Sequence, residues 1–214
     1  RMRRFRSDLP VIIRPDLILT EEGFIVSELD AVPGGFGLLA ELSRYYHDAG
    51  FDIIGGRDGI IEHFKAAVQD ISESADPGLA IVVSDESMDY FPEMEWISEA
   101  LSASGLKTWA VKPDAVWFQE DGLYLKTGQM PERINVVYRF FELFDLKNIP
   151  KIDLILYAVR KQLVRITPPL KSYLEEKLLF ALVHHPALRD YLVQTLEPEG
   201  FQTLAAVMPQ TWIM

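Results

Sequence analysis

The amino-acid sequence predicts an α/β protein in three parts, and three observations carry the prediction. Two β-prone runs flank a turn near the start, apolar strands alternate with helices in the middle, and helix-forming segments fill the end. The breaker-rich stretch 72–78 marks the first boundary. We predict a hairpin with helices over 1–74, a Rossmann-like open sheet over 75–168 and a helical segment over 169–214.

The first predicted element is a charged hairpin. The apolar runs 12–19 and 24–30 flank the turn Thr20-Glu21-Glu22-Gly23, whose glycine can adopt positive φ at a bulge. Strand alternation then assigns a set of apolar residues to a core face: Ile13, Leu17, Leu19, Ile25 and Leu29.

The other face of this hairpin carries its charges. If Thr20 faces Phe24, Asp16 lies opposite Glu28. The same register brings Arg14 opposite Asp30. Opposed like charges destabilise a sheet, so three carboxylates need a compensating cation, and a bound metal is the simplest candidate. The alternative is a solvated face on which Arg14 neutralises Asp30.

A glycine-rich turn and a helix follow the hairpin. Gly34 and Gly35 lie in Pro33-Gly34-Gly35-Phe36-Gly37, where backbone N–H groups before a helix can hold an anionic group. Tight turning alone would also require these glycines. The helix is predicted over 36–49, with the apolar stripe Leu38, Leu39, Leu42, Tyr45 and Tyr46. A short strand over 51–54 and a helix over 58–72 complete this part.

The middle of the chain reads as alternating strands and helices. The run 79–83 is continuously apolar, as in a parallel strand that is buried on both faces, and the run 134–138 is a further buried strand. Ser84, Asp85 and Glu86 follow the first of these strands, where open α/β sheets bind ligands and where a helix N-cap is the alternative. Neither a GxGxxG fingerprint nor a P-loop is present.

Two basic residues are weighed as anion ligands. Arg139 follows the strand 136–138 and either binds an anion or forms an ion pair with Glu142. Lys177 reads as an exposed residue of the predicted helix 170–183. The four histidines lack metal-ligand spacing, and no serine lies in a GxSxG elbow.

Composition excludes several classes of partner. A formal net charge of −11 argues against nucleic acid, because phosphate neutralisation needs clustered Lys and Arg. No apolar run reaches the length of a membrane span, so no membrane is expected. The absence of cysteine removes thiol chemistry and fits a cytoplasmic protein.

The order of motifs resembles the circularly permuted ATP-grasp proteins of the glutathionylspermidine synthase type. Arg14-Pro15-Asp16 is followed by Glu28-Leu29-Asp30 and then by the glycine-rich turn. Further pieces follow in the family's order: Val136-Val137-Tyr138-Arg139, Glu176-Lys177 and Pro209-Gln210-Thr211. The resemblance implies a partial ATP-grasp catalytic hairpin with helices, then a Rossmann-like pre-ATP-grasp unit and a helical segment.

The resemblance also implies roles for particular residues. Asp16, Glu28 and Asp30 would bind Mg²⁺, which prefers carboxylate oxygen, and Arg14 would bind a transferring phosphate of ATP. The implied activity is a ligase reaction in which a carboxylate is activated as an acyl phosphate and attacked by an amine. The expected partners are therefore a small-molecule carboxylate and amine.

Two departures from the family pattern qualify this expectation. Asp30 replaces the commoner Asn, and the chain stops at Met214, where the family's lysine-bearing lid would begin. The chain is therefore expected to be a fragment that is inactive alone. The alternative is a non-catalytic α/β binding or scaffold module that keeps the fold.

Overall fold

The computed structural model describes residues 9–127 and 130–212, which form two compact units. The first unit contains residues 9–12 and 32–170, and the second contains 13–31 and 171–212. The predicted α/β class is confirmed. The division at 74 and 168 stays a prediction, and the observed units group the hairpin with the C-terminal segment.

The first unit contains most of the regular elements. Its helices are α1 (Phe36–Asp48), α2 (Gly59–Ser72), α3 (Phe91–Ala103) and α4 (Ile152–Arg160). The second unit contains the strands β1 (Arg14–Thr20) and β2 (Gly23–Asp30) and the helices α5 (Leu178–Val183) and α6 (Arg189–Val207). The remaining strands belong to the first unit: β3 (Leu79–Val83), β4 (Thr108–Val111), β5 (Val116–Gln119), β6 (Gly122–Thr127), β7 (Met130–Ile134), β8 (Val136–Phe140) and β9 (Arg165–Thr167).

A parallel sheet with the strand order β4-β3-β8-β9 organises the first unit. Its central strand β3 is fully buried because both faces of the sheet are covered. Leu79, Ile81 and Val83 pack in a core with residues of α1, α2 and α3, whereas Ala80 and Val82 pack with residues of α4, β5 and β6. This double burial explains why the strand reads as one continuous apolar run.

The strand order of this sheet has a switch point between β3 and β8. The chain passes from β3 to β4 on one side and returns to add β8 and then β9 on the other. Ligands of open α/β sheets bind at the carboxyl ends of the strands at such a point. The antiparallel sheet β5-β6-β7 is inserted between β4 and β8 along the chain.

The second unit has a small core of its own. Val26 is buried with Phe180 and Val183 of α5 and with Met208, and Leu29 packs against them. Helix α6 breaks at Glu197, whose backbone leaves the helical region immediately before Pro198. A proline inside a helix lacks the N–H that would donate to the carbonyl one turn earlier, so the break in α6 has a local cause.

Several sequence predictions are wrong. No strand forms over 51–54, and the segment predicted as the helix 170–183 contains a 3₁₀ turn over Ser172–Glu175 and the short α5 at its end. The apolar stripe of α1 is exposed, because that helix buries Phe36, Gly37 and Ala40 instead. The hairpin residues Ile13, Leu17 and Leu19, predicted as core, are at least half exposed.

In the part of the chain that the structure describes, no helix is both long and apolar enough to cross a membrane.

Candidate functional site

The hairpin register depends on one bulge. Thr20 lies opposite Gly23, so the predicted pairing of Thr20 with Phe24 is wrong. The register shifts between Asp16 and Leu17, and this shift restores the predicted pairs Asp16 with Glu28 and Arg14 with Asp30. The shift leaves Ser27 as the extra residue of β2, and its hydroxyl donates to the backbone carbonyl of Asp16 at 3.1 Å.

The bulge also determines which residues lie on each face of the hairpin. By alternation from the observed pairs, Asp16, Glu28 and their neighbours Arg14 and Asp30 occupy one face. Val26 lies opposite Leu17 on the other face, which packs on α5 and α6. The four hairpin residues singled out from the sequence are therefore brought together on the face away from this core.

Arg14 forms ion pairs with two of these carboxylates. Its Nε lies 2.9 Å from Asp16 Oδ1, and its Nη2 lies 3.3 Å from Asp30 Oδ2. The three side chains are only partly exposed, at 32%, 43% and 28% for Arg14, Asp16 and Asp30, so solvent screens these pairs less than at an open surface. The predicted alternative, in which Arg14 neutralises Asp30, is thus part of the observed arrangement.

Lys177 is a further cation of this cluster. Its Nζ lies 3.8 Å from Glu28 Oε2, and its side chain is 64% exposed. It occupies a turn before α5 and not the interior of a helix. No local pattern in the sequence indicates this contact, because 149 positions separate the two residues.

The face of the hairpin that carries Arg14, Asp16, Glu28 and Asp30, here called the charged face, has donor atoms that suit a hard divalent cation. Three carboxylates offer only oxygen ligands, and Mg²⁺ is commonly held by one or two carboxylates with water and phosphate oxygens. Among the described residues, however, no three His, Cys, Asp or Glu side chains are arranged to hold a metal ion. The carboxylates instead make the ion pairs just described, so Asp16, Glu28 and Asp30 as metal ligands stay a prediction.

The predicted anion site at the start of α1 contains a carboxylate of the chain itself. Glu93 of α3 accepts hydrogen bonds from the backbone N–H of Gly35 at 3.0 Å and of Gly37 at 2.8 Å. These are donors that a helix N-terminus leaves unsatisfied. Cofactor binding by Gly34 and Gly35 stays a prediction, and a bound anion that used these donors would have to displace Glu93.

Close packing gives the glycine-rich turn a structural role. A Cβ on Gly34 would overlap the ring of Tyr90, and a Cβ on Gly37 would lie 2.8 Å from Glu93 Cγ and 2.9 Å from Ile97 Cγ1. Gly35 has a φ of 85°, in the left-handed region that favours glycine. The three glycines thus allow α1 to begin directly against α3 and Tyr90, a contact that the local sequence pattern did not indicate.

Arg139 lies in the first unit and is fully buried at the end of β8. Its Nε donates to the carbonyl of Pro168 at 3.0 Å, and its Nη1 donates to the carbonyl of Phe141 at 2.8 Å. The guanidinium therefore links the end of β8 to the segment that follows β9. Anion binding by Arg139 stays a prediction.

The residues after β3 form a short polar turn. Ser84 is buried, and its hydroxyl lies 3.4 Å from that of Ser87. Asp85 is exposed and accepts from Lys112 Nζ at 3.2 Å. This turn begins a 3₁₀ segment over Asp85–Tyr90, in keeping with the helix-start alternative.

Comparison with known proteins identifies a similar fold but no family. No family model matches the chain, and no curated protein matches it. A solved structure that matches is a glutathione synthetase-like effector from Globodera pallida in its apo form, with a TM-score of 0.58 and 14% sequence identity. The match covers 94% of this chain and 49% of that chain, so this chain spans about half the length of the protein it resembles. At this identity the likeness shows the fold alone.

Proposed function

We propose that this chain contributes the metal- and phosphate-binding hairpin of an ATP- and Mg²⁺-dependent carboxylate–amine ligase of the circularly permuted ATP-grasp type. The observation that carries the proposal is the hairpin register, which pairs Asp16 with Glu28 and Arg14 with Asp30. A fold like that of a glutathione synthetase-like protein supports it independently.

The residues of the charged face would divide two tasks. Asp16, Glu28 and Asp30 would supply carboxylate oxygens to Mg²⁺, and Arg14 would donate in a bidentate manner to phosphate oxygens. When bound, ATP would supply the phosphoryl group and Mg²⁺ the charge neutralisation to activate a small carboxylate as an acyl phosphate with release of ADP, and an amine would then displace phosphate to give an amide. Positioning and charge neutralisation are what phosphoryl transfer chiefly requires of a protein.

A metal titration tests this assignment. We expect Mn²⁺, measured by electron paramagnetic resonance with Mg²⁺ as competitor, to bind the wild-type chain, and Asp16→Asn and Glu28→Gln each to weaken binding at least about tenfold. Glu22→Gln is the matched control, since it removes one carboxylate from the exposed turn of the same hairpin. Equal weakening in Glu22→Gln, or no binding to the wild type, would contradict the proposal.

The ion pairs of the charged face favour a second candidate. Because Arg14 already compensates Asp16 and Asp30, the hairpin is also suited to a non-catalytic binding or scaffold module. Failure of the wild-type chain to bind Mn²⁺ would support that module.

We further infer that these 214 residues do not turn over ATP alone; steady ATP hydrolysis by the purified chain would contradict this inference.

A further inference from the structure

The three hairpin carboxylates lie beside two cations of the same chain. Arg14 reaches Asp16 and Asp30 at 2.9 and 3.3 Å, and Lys177 reaches Glu28 at 3.8 Å. In the described structure, each proposed metal ligand thus has an ion-pair partner. All five residues belong to the second unit, so this arrangement does not depend on the placement of the first.

These ion pairs compete with a divalent cation for the same oxygens. A guanidinium nitrogen 2.9 Å from Asp16 Oδ1 occupies the space in which a metal ion would coordinate that oxygen. Two cations beside the same carboxylate also repel each other. Arg14 and the metal therefore favour alternative states of the charged face.

We propose that Arg14 is an internal counter-ion that weakens metal binding to the charged face until an anionic phosphate draws its guanidinium away. The inference rests on the proposed function and adds an order of binding to it: phosphate engages Arg14 before the metal is bound tightly. Phosphate oxygens offer Arg14 a bidentate partner that matches the carboxylates it leaves. Metal and phosphate then strengthen each other's binding, because coupling between two ligands is reciprocal.

Lys177 has a smaller part in the same arrangement. Its ammonium contacts Glu28 at 3.8 Å and its side chain is mostly exposed, so the pair is longer and more strongly screened than those of Arg14. We therefore expect removal of the Lys177 charge to strengthen metal binding by less than removal of the Arg14 charge does.

The test measures Mn²⁺ affinity without nucleotide. Arg14→Gln is expected to lower the Kd of Mn²⁺ by about three- to tenfold, and Lys177→Gln by about twofold or less. Arg57→Gln is the matched control: Arg57 also pairs with two carboxylates, Asp48 and Asp58, and its loss changes the net charge of the chain equally. No change is expected in that variant.

A second measurement adds inorganic triphosphate as the anion. Triphosphate should lower the Kd of Mn²⁺ for the protein more in the wild type than in Arg14→Gln, since only the wild type has a guanidinium to draw away. Competition for free Mn²⁺ is corrected with a protein-free titration. If Arg14→Gln does not fold, as judged by circular dichroism, Arg14→Lys replaces it and should give a smaller decrease in Kd, because an ammonium cannot bridge two carboxylates as a guanidinium does.

The outcomes separate this inference from the proposed function. Unchanged or weaker Mn²⁺ binding in Arg14→Gln, with binding lost in Asp16→Asn, would overturn the counter-ion role and leave the metal site standing. A decrease in Kd that Arg57→Gln reproduces would assign the effect to net charge and also overturn the role. Absence of Mn²⁺ binding in the wild type would contradict the proposed function itself.

Discussion

Substitution of Gly37 by alanine tests whether packing against α3 requires a glycine at this position. A Cβ at this position would lie 2.8 Å from Glu93 Cγ and 2.9 and 3.0 Å from two carbons of Ile97. Ile97 is fully buried, so it has little room to move. Relief of such contacts in a packed core typically costs about 1–3 kcal/mol.

The helical preference of alanine acts in the opposite direction. Gly37 is in the first turn of α1, where alanine gains at most about 1 kcal/mol over glycine. We therefore expect Gly37→Ala to lower the free energy of unfolding by a net 1–2 kcal/mol or so. In urea, this loss corresponds to a decrease in the unfolding midpoint of about 0.5–1 M.

The assay is urea unfolding followed by far-UV circular dichroism, with Gly59→Ala as the matched control. Gly59 begins α2, and the nearest atom to its added Cβ would be His63 Cδ2 at 3.9 Å, an ordinary contact. This control gains the helical preference without the clash and should be neutral or slightly stabilising. A Gly37→Ala chain as stable as the control would refute the close approach of α1 and α3.

Three other predictions concern single contacts. Glu93→Gln should destabilise the first unit by about 1–2 kcal/mol in the same assay, because an amide accepts through one oxygen only, whereas the exposed Glu95→Gln should have little effect. The hydrogen bond from Arg44 lowers the pKa of Asp58, so this carboxylate stabilises the fold above its ordinary pKa of about 3.9 and loses that contribution as pH falls below it. The difference in melting temperature between wild type and Asp58→Asn should accordingly be constant above about pH 5 and shrink as pH falls below about 3.9; a difference independent of pH would contradict this. Phe180→Ala should lower the stability of the second unit by about 3 kcal/mol or more, since the side chain is 4% exposed in its core, and a change below 1 kcal/mol or so would argue against that core.

Elements with strong local signals could be predicted from the sequence. The helix predicted over 58–72 is observed as Gly59–Ser72, and the strand predicted over 79–83 is observed with the same bounds. Apolar periodicity and flanking breakers are properties of neighbouring residues, so a single sequence contains them. The apolar stripe of α1 shows the limit: its periodicity predicted the helix, but the core is on the side of Phe36 and Ala40.

Contacts between distant segments could not be predicted in this way. Glu93 satisfies two N–H groups of α1 from another helix, and Lys177 reaches Glu28 from the far end of the chain. Neither residue differs in its local pattern from an ordinary exposed charge. Only the tertiary arrangement gives these side chains their partners. From the sequence alone, the glycines before α1 are equally compatible with anion binding and with tight turning, and Lys177 is predicted to be an exposed helix residue.

The bulge at Ser27 resolves a conflict that is visible in the sequence. Strict alternation would put Val26 on the same face as Glu28 and Asp30, so a buried apolar residue would share a face with carboxylates. One unpaired residue between Val26 and Glu28 moves Val26 to the face that packs on α5 and α6. Burial of Val26 and Leu29 thus holds the register that aligns the charged residues. The charged face is consequently organised by the core behind it, and its alignment needs no bound metal.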